Sequence, residues 1–220
     1  MRRYVIALML IALAVSPAIA QRKAPAKKTP AKAAAVPPKT MTPDVACPSL
    51  IGMGVKTVRS FCDVPAGRDP AQGIVISLPP HKGTATLTFD LHARHLYSED
   101  EMKSGKVYSR YRVTIGALTM AGGLLARGAI EAEFRTPADL FDRIGGGSGP
   151  GGLKAVAPAG REPVIIEVPA GVDQVALLGE SLDAITPAGH ETVVMPGRPV
   201  AIVSNLLFEY QPASAPRPRR

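Results

Sequence analysis

The chain has no tryptophan, and only two cysteines, five tyrosines and five phenylalanines among its 220 residues. Aromatic platforms for stacking sugars or bases are therefore scarce, and specific nucleic-acid recognition is not expected. The two cysteines lack a Cys-x-x-Cys spacing, which excludes dithiol redox catalysis, and two thiols without nearby histidines make an incomplete zinc site. There is no internal repeat. No apolar run reaches the roughly 20 residues that span a bilayer. The glycine-rich stretch Gly145 to Gly152 lacks the Lys-Ser/Thr of a phosphate loop and reads as a connector. Ser148 misses the nucleophile-elbow pattern because Pro150 stands where glycine is required. His190-Glu191 opens like a zinc-protease helix motif, but Val194 occupies the place of the second histidine. No nucleophile, base and oxyanion set emerges, so no catalytic residue is assigned.

What the chain does have begins at its start. Arg2 and Arg3 precede an apolar run from Val5 to Val15 and then Ala18-Ile19-Ala20, the charged, apolar and small-residue parts of a secretory signal. Residues 1–20 are read as that signal, with the mature protein beginning at Gln21 in the periplasm or outside the cell and keeping no transmembrane segment. In an oxidising compartment Cys47 and Cys62 should form a disulfide.

The formal charge of +8 is unevenly distributed. Arg2 and Arg3 leave with the signal, residues 21–46 carry +5, and residues 211–220 carry +3, which leaves −2 for residues 47–210. The two basic segments, rich in Lys, Ala and Pro or in Arg and Pro, cannot fold alone and read as a disordered linker and a disordered tail. They serve either as solvated spacers or as electrostatic attachments to an anionic cell-envelope component.

Residues 47–210 are expected to form one all-β domain, an antiparallel sandwich or jelly roll. Ala85, Leu87, Phe89 and Leu91 alternate with Thr84, Thr86, Thr88, Asp90 and His92, giving a strand with one dry and one wet face. Val107, Tyr111, Val113 and Ile115 alternate with Tyr108, Arg110, Arg112 and Thr114 in a second strand. Further strands are expected at 55–61, 73–78, 124–134, 163–168, 174–178, 192–195 and 200–210. A single short helix is expected over 137–144, with Thr136 as cap, Pro137 in its first position and Gly145 ending it.

Two clusters are site candidates. The first is Asp90-Leu-His92-Ala-Arg-His95-Leu-Tyr-Ser-Glu99. Continued to Gly105, it resembles the first metal motif of the cupins, small jelly rolls in which two histidines one residue apart precede a glutamate. The resemblance implies a divalent transition metal held by His92, His95 and Glu99, with Asp90 as an alternative ligand. This chain departs from it by placing two residues between the histidines, so a straight strand would point them to opposite faces. The competing expectation is an ordinary exposed sheet surface. The second candidate is a ligand patch of Tyr108, Arg110 and Arg112, which would meet Asp90 and His92 if the two alternating strands paired as a hairpin. Its competing expectation is cross-strand charge pairing on a solvated face.

Three functions stay open. The first is a non-catalytic exported protein that binds a cell-envelope component or a protein partner and holds no cofactor. The others are a metal-dependent cupin-like enzyme or metal-binding protein, and a structural envelope subunit assembling through its edge strands. The oligomeric state is left open.

Overall fold

The computed structural model describes residues 37–144 and 155–213. The signal, residues 21–36 of the linker, the glycine-rich connector and residues 214–220 of the tail lie outside the described residues.

Two six-stranded antiparallel sheets form an all-β sandwich, as the wet-dry alternation implies. In the first sheet, β3 (Leu50–Met53), β4 (Ser60–Pro65), β12 (Pro199–Pro212), β6 (His81–Tyr97) and β9 (Ala155–Val168) lie in that order, with β1 (Lys39–Met41) also paired to β12. In the second, β2 (Asp44–Ala46), β5 (Ile74–Ser77), β10 (Gln174–Thr186), β7 (Ser109–Thr119) and β8 (Leu124–Phe134) follow one another, and β11 (Gly189–Val193) pairs with β10. The residues of β1 and β2 fall inside the segment read as linker. Paired with β12 and β5, they are part of the folded domain, which therefore begins by Lys39 and not at Cys47.

The main core lies between the sheets. Leu87, Phe89 and Leu91 of β6, Val203 and Phe208 of β12 and Ile166 of β9 pack with Ile74, Ile76, Val113, Ile115, Val175 and Leu177 of the opposite sheet. These are the apolar members of the alternating strands, and the burial of some 30 such side chains supplies the folding drive. The Cys47–Cys62 disulfide ties the chain entering β3 to β4, with 6.0 Å between the Cα atoms.

The helix is misplaced in the sequence reading. Residues 137–144 contain one 3-10 turn, Pro137–Asp139, and then extended chain. The cap was legible: the Asp139 carboxylate accepts the N–H groups of Arg135 and Thr136. Propagation fails because Leu140 turns extended, with ψ 130°, and pairs with Ala159, while the Phe141 N–H donates to the Pro158 carbonyl. Phe141 and Ile144 thus cover the outer face of the first sheet as a strap, while Leu140 packs against the main core, instead of all three forming a helix face. The short α-helix is α1 (Glu99–Lys103), capped by Ser98 and opened by Glu99, Asp100 and Glu101, which suit its positive end.

The strand expected at 55–61 is also corrected. Residues 54–59 are the turn of the β3–β4 hairpin, and only Ser60 and Phe61 belong to a strand.

Candidate functional site

Asp90 and His92 lie on the outer face of the first sheet, as their alternation with the core residues requires, but that face is dry at this point. Asp90 is 1% exposed and His92 is fully buried. The strap supplies the cover: the Phe141 ring sits 4.6 Å from the His92 ring, and Phe61 of β4 meets it edge-on at 5.7 Å. Ile144 and Ile202 complete a second small apolar cluster with Phe61.

Every polar group in this layer is committed within the fold. The His92 Nδ1–H donates to the Gly160 carbonyl at 2.7 Å, and Nε2 accepts the Ser204 hydroxyl at 3.0 Å. Those two bonds fix one neutral tautomer. Burial pushes the His92 pKa down, partly offset by the Gly160 bond and the nearby Asp90 charge. Asp90 is held by Arg59 at 2.8 Å, Arg161 at 3.0 Å and the Asn205 amide at 3.4 Å. Asn205 reaches it from a left-handed conformation, φ 57°, where the pairing of β12 with β6 shifts register. Gly160 is also left-handed, φ 67°, and a Cβ there would sit 2.9 Å from the Ala132 Cβ. Nearby, Arg94 pairs with buried Asp63 at 3.0 Å.

His95 points the other way. It is 5% exposed and lies between the sheets, stacked on Phe134 at 3.8 Å, with Nδ1 2.6 Å from the Tyr111 hydroxyl. Glu99 is exposed at the start of α1. His92, His95 and Glu99 are therefore not brought together: the two-residue spacing turns the histidines to opposite faces, as in any straight strand. Among the described residues, no group of three or more His, Cys, Asp or Glu side chains is placed to hold a metal ion.

The second patch is likewise divided. The strand containing Arg110 and Arg112, which Tyr108 precedes, does not pair with β6; β7 pairs with β8 and β10 in the other sheet. Arg110 and Arg112 both engage Glu131, and Tyr108 bonds Glu133 beneath the Arg135 guanidinium. Asp183 and His190 lie alongside, 3.5 Å apart. This is cross-strand pairing on a solvated face, remote from Asp90 and His92. Tyr111, by contrast, faces inward and contributes to a cleft of about 210 Å³ with Arg94, Glu101, Leu182, Glu191 and Arg198. Burial raises the Tyr111 pKa and keeps its phenol neutral.

The feature the sequence reading missed is the turn of the β3–β4 hairpin. The buried Asp142 carboxylate accepts the Lys56 N–H at 3.0 Å, the Thr57 N–H at 2.8 Å, the Thr57 hydroxyl and the Arg143 N–H at 2.7 Å. Burial opposes ionisation, but these donors together outweigh it and hold the Asp142 pKa below the usual carboxylate value. Gly54 and Arg59 close the turn through a 2.8 Å backbone bond, and a Cβ on Gly54 would collide with the Asp142 carboxylate. The hairpin thus presents Leu50, Met53, Val55 and Val58, which are 66, 48, 69 and 72% exposed. Val58 is left-handed at φ 54°, an uncommon state for a β-branched residue.

No family model and no curated protein matches the chain. Among solved structures it is similar to the infectious bursal disease virus VP2 subviral particle at 13% identity, over 80% of this chain and 42% of that one. The TM-score of 0.17 is too low for that likeness to bear on fold or function. The disulfide fits an oxidising compartment, and among the described residues no helix is long and apolar enough to cross a membrane.

Proposed function

We propose that this is an exported, non-catalytic β-sandwich protein that binds a cell-envelope component or a protein partner. The observation that carries this reading is the concentration of four large exposed aliphatic side chains on one hairpin, between Leu50 and Val58. Exposed apolar groups cost solubility, and their concentration on one short hairpin supports reading it as an interaction surface. The side chains that could do chemistry supply the complementary support. Asp90, His92, Asp142 and Ser204 are buried and saturated by internal partners, which is how structural groups behave. The secretory signal expected at residues 1–20 and the Cys47–Cys62 disulfide support the extracytoplasmic setting.

The test is co-sedimentation of the processed protein with purified envelope fractions, membranes and cell-wall sacculi separately. Retention in either pellet above that of an unrelated exported protein is expected. Retention no greater than the control in both would contradict the proposal.

A further inference from the structure

We infer that the tip of the β3–β4 hairpin is a docking element for an anionic phospholipid surface, with Met53, Val55 and Val58 entering the acyl boundary and basic side chains meeting the headgroups. This rests on the binding reading above and names its partner and its surface.

Three observations on this hairpin converge. The first is apolarity at a tip. Val55 and Val58 lie in the turn and Met53 ends β3 beside it, and all three are exposed, so the tip of the hairpin is apolar. They are aliphatic, and no aromatic anchor of the kind that dominates protein–protein hot spots stands among them.

The second is charge. Lys56 and Arg59 belong to this turn and Arg143 is bonded to it through Val55, against the carboxylates Asp90, which pairs with Arg59, and Asp142. Both carboxylates are buried, whereas Lys56 and Arg143 are exposed. The surface beside the apolar tip is therefore positive, complementary to anionic headgroups. Apolar insertion bordered by Lys and Arg is the combination that binds anionic bilayers, each cation near the surface adding to the attraction.

The third is preorganisation. The turn is held by three hydrogen bonds to the Asp142 carboxylate, by the Val58 N–H to Gly54 carbonyl bond of 3.1 Å and by the Gly54–Ile144 bridge. The disulfide fixes the base of the hairpin. Backbone strain at Val58 persists only because these neighbours over-determine it. A turn that needed only to connect two strands would have no reason to hold a valine in that state at 72% exposure. A rigid tip meets a surface without the entropic cost of ordering a loop.

The experiment is flotation of the processed protein with vesicles of phosphatidylcholine mixed with phosphatidylglycerol, and with vesicles of phosphatidylcholine alone. Wild type should bind the anionic vesicles, less tightly as salt is raised. Val55→Asp with Val58→Asp should weaken that binding by at least about tenfold. Lys56→Glu with Arg143→Glu should weaken it on anionic vesicles. Ile165→Asp, at an exposed apolar site on β9, is the control and should bind like wild type. All substituted side chains are exposed, and unchanged melting curves would confirm that each variant folds. Binding unaffected by the valine pair but abolished by deleting residues 21–36 would overturn the inference in favour of the basic tether. Wild type that ignores vesicles yet sediments with wall sacculi would defeat the inference and leave the binding reading standing; failure in both assays would defeat both.

Discussion

Replacing Asp142 with alanine should cost about 2–4 kcal/mol of stability, far more than a surface substitution. The carboxylate accepts four donors, three from the hairpin turn and one from its own neighbour Arg143. A hydrogen bond to a charged group contributes about 1.5–3 kcal/mol when its partner cannot return to water. Lys56 and Arg143 are exposed and their N–H groups regain water in the variant, whereas Thr57 is half-buried and loses more. Counting the Thr57 bonds nearly in full and the others in part gives the range stated. In a domain of this size the loss is about 5–15 °C in Tm. Urea titration at neutral pH measures it directly. The sign of the pH dependence follows from the depressed Asp142 pKa. The contribution is fully present above the unfolded carboxylate value and is lost as pH falls through the lower folded value, so the gap between wild type and variant should close in acid. Asp142→Asn, which keeps one acceptor, should fall between the two. A loss under about 0.5 kcal/mol for the alanine variant would refute the claim that this carboxylate organises the turn.

Other consequences follow from the buried layer and the disulfide. Because burial lowers the His92 pKa, the unfolded chain binds the extra proton first, so stability should decline as pH falls below the ordinary histidine value near 6.5, and His92→Gln should remove part of that slope in denaturation series. Gly160→Ala should destabilise the fold through its left-handed backbone and the 2.9 Å approach to Ala132, read as a lower urea midpoint at unchanged slope. Reduction of the disulfide should cost on the order of 3 kcal/mol for a loop closed at a separation of 15 residues, measured with and without reductant. Elemental analysis of protein purified without chelators should find no stoichiometric metal dependent on His92, since His92 and His95 face opposite sides of β6; a full equivalent lost on His92→Ala would revive the cupin-like reading.

The sandwich was legible because alternation is a local signal. Ala85, Leu87, Phe89 and Leu91 declare the buried face of β6 with no knowledge of what covers it. The opposite face was misjudged for the same reason. Asp90 and His92 look wet in sequence, and only groups distant along the chain make them dry: Phe61 and the Phe141 strap over His92, and Arg59, Arg161 and Asn205 around Asp90. The helix at 137–144 carried correct capping chemistry, yet long-range pairing of Leu140 and Phe141 with β9 outweighed its weak propensity to continue. The hairpin turn was hidden most thoroughly. Val55 to Phe61 contains no glycine, proline or asparagine, so it reads as strand. Its turn chemistry is supplied by Asp142, 85 and 86 residues away from the backbone groups it binds. Pairing between distant strands also lies outside a local pattern, which is why the sequence leaves a β6–β7 hairpin open as a condition of the second patch, whereas the two strands belong to different sheets.

The absence of tryptophan allows the most direct test of the docking tip. Val55→Trp places a single indole on the turn, and Ile165→Trp places one at a matched exposure of 68% on β9. Both should fluoresce as water-exposed indoles in buffer. On titration with vesicles containing phosphatidylglycerol, the Val55→Trp emission should shift to the blue and resist aqueous quenchers while that of Ile165→Trp stays unchanged. An indole at position 55 that remains red-shifted and fully quenchable while the protein co-floats with the vesicles would contradict insertion of the hairpin tip.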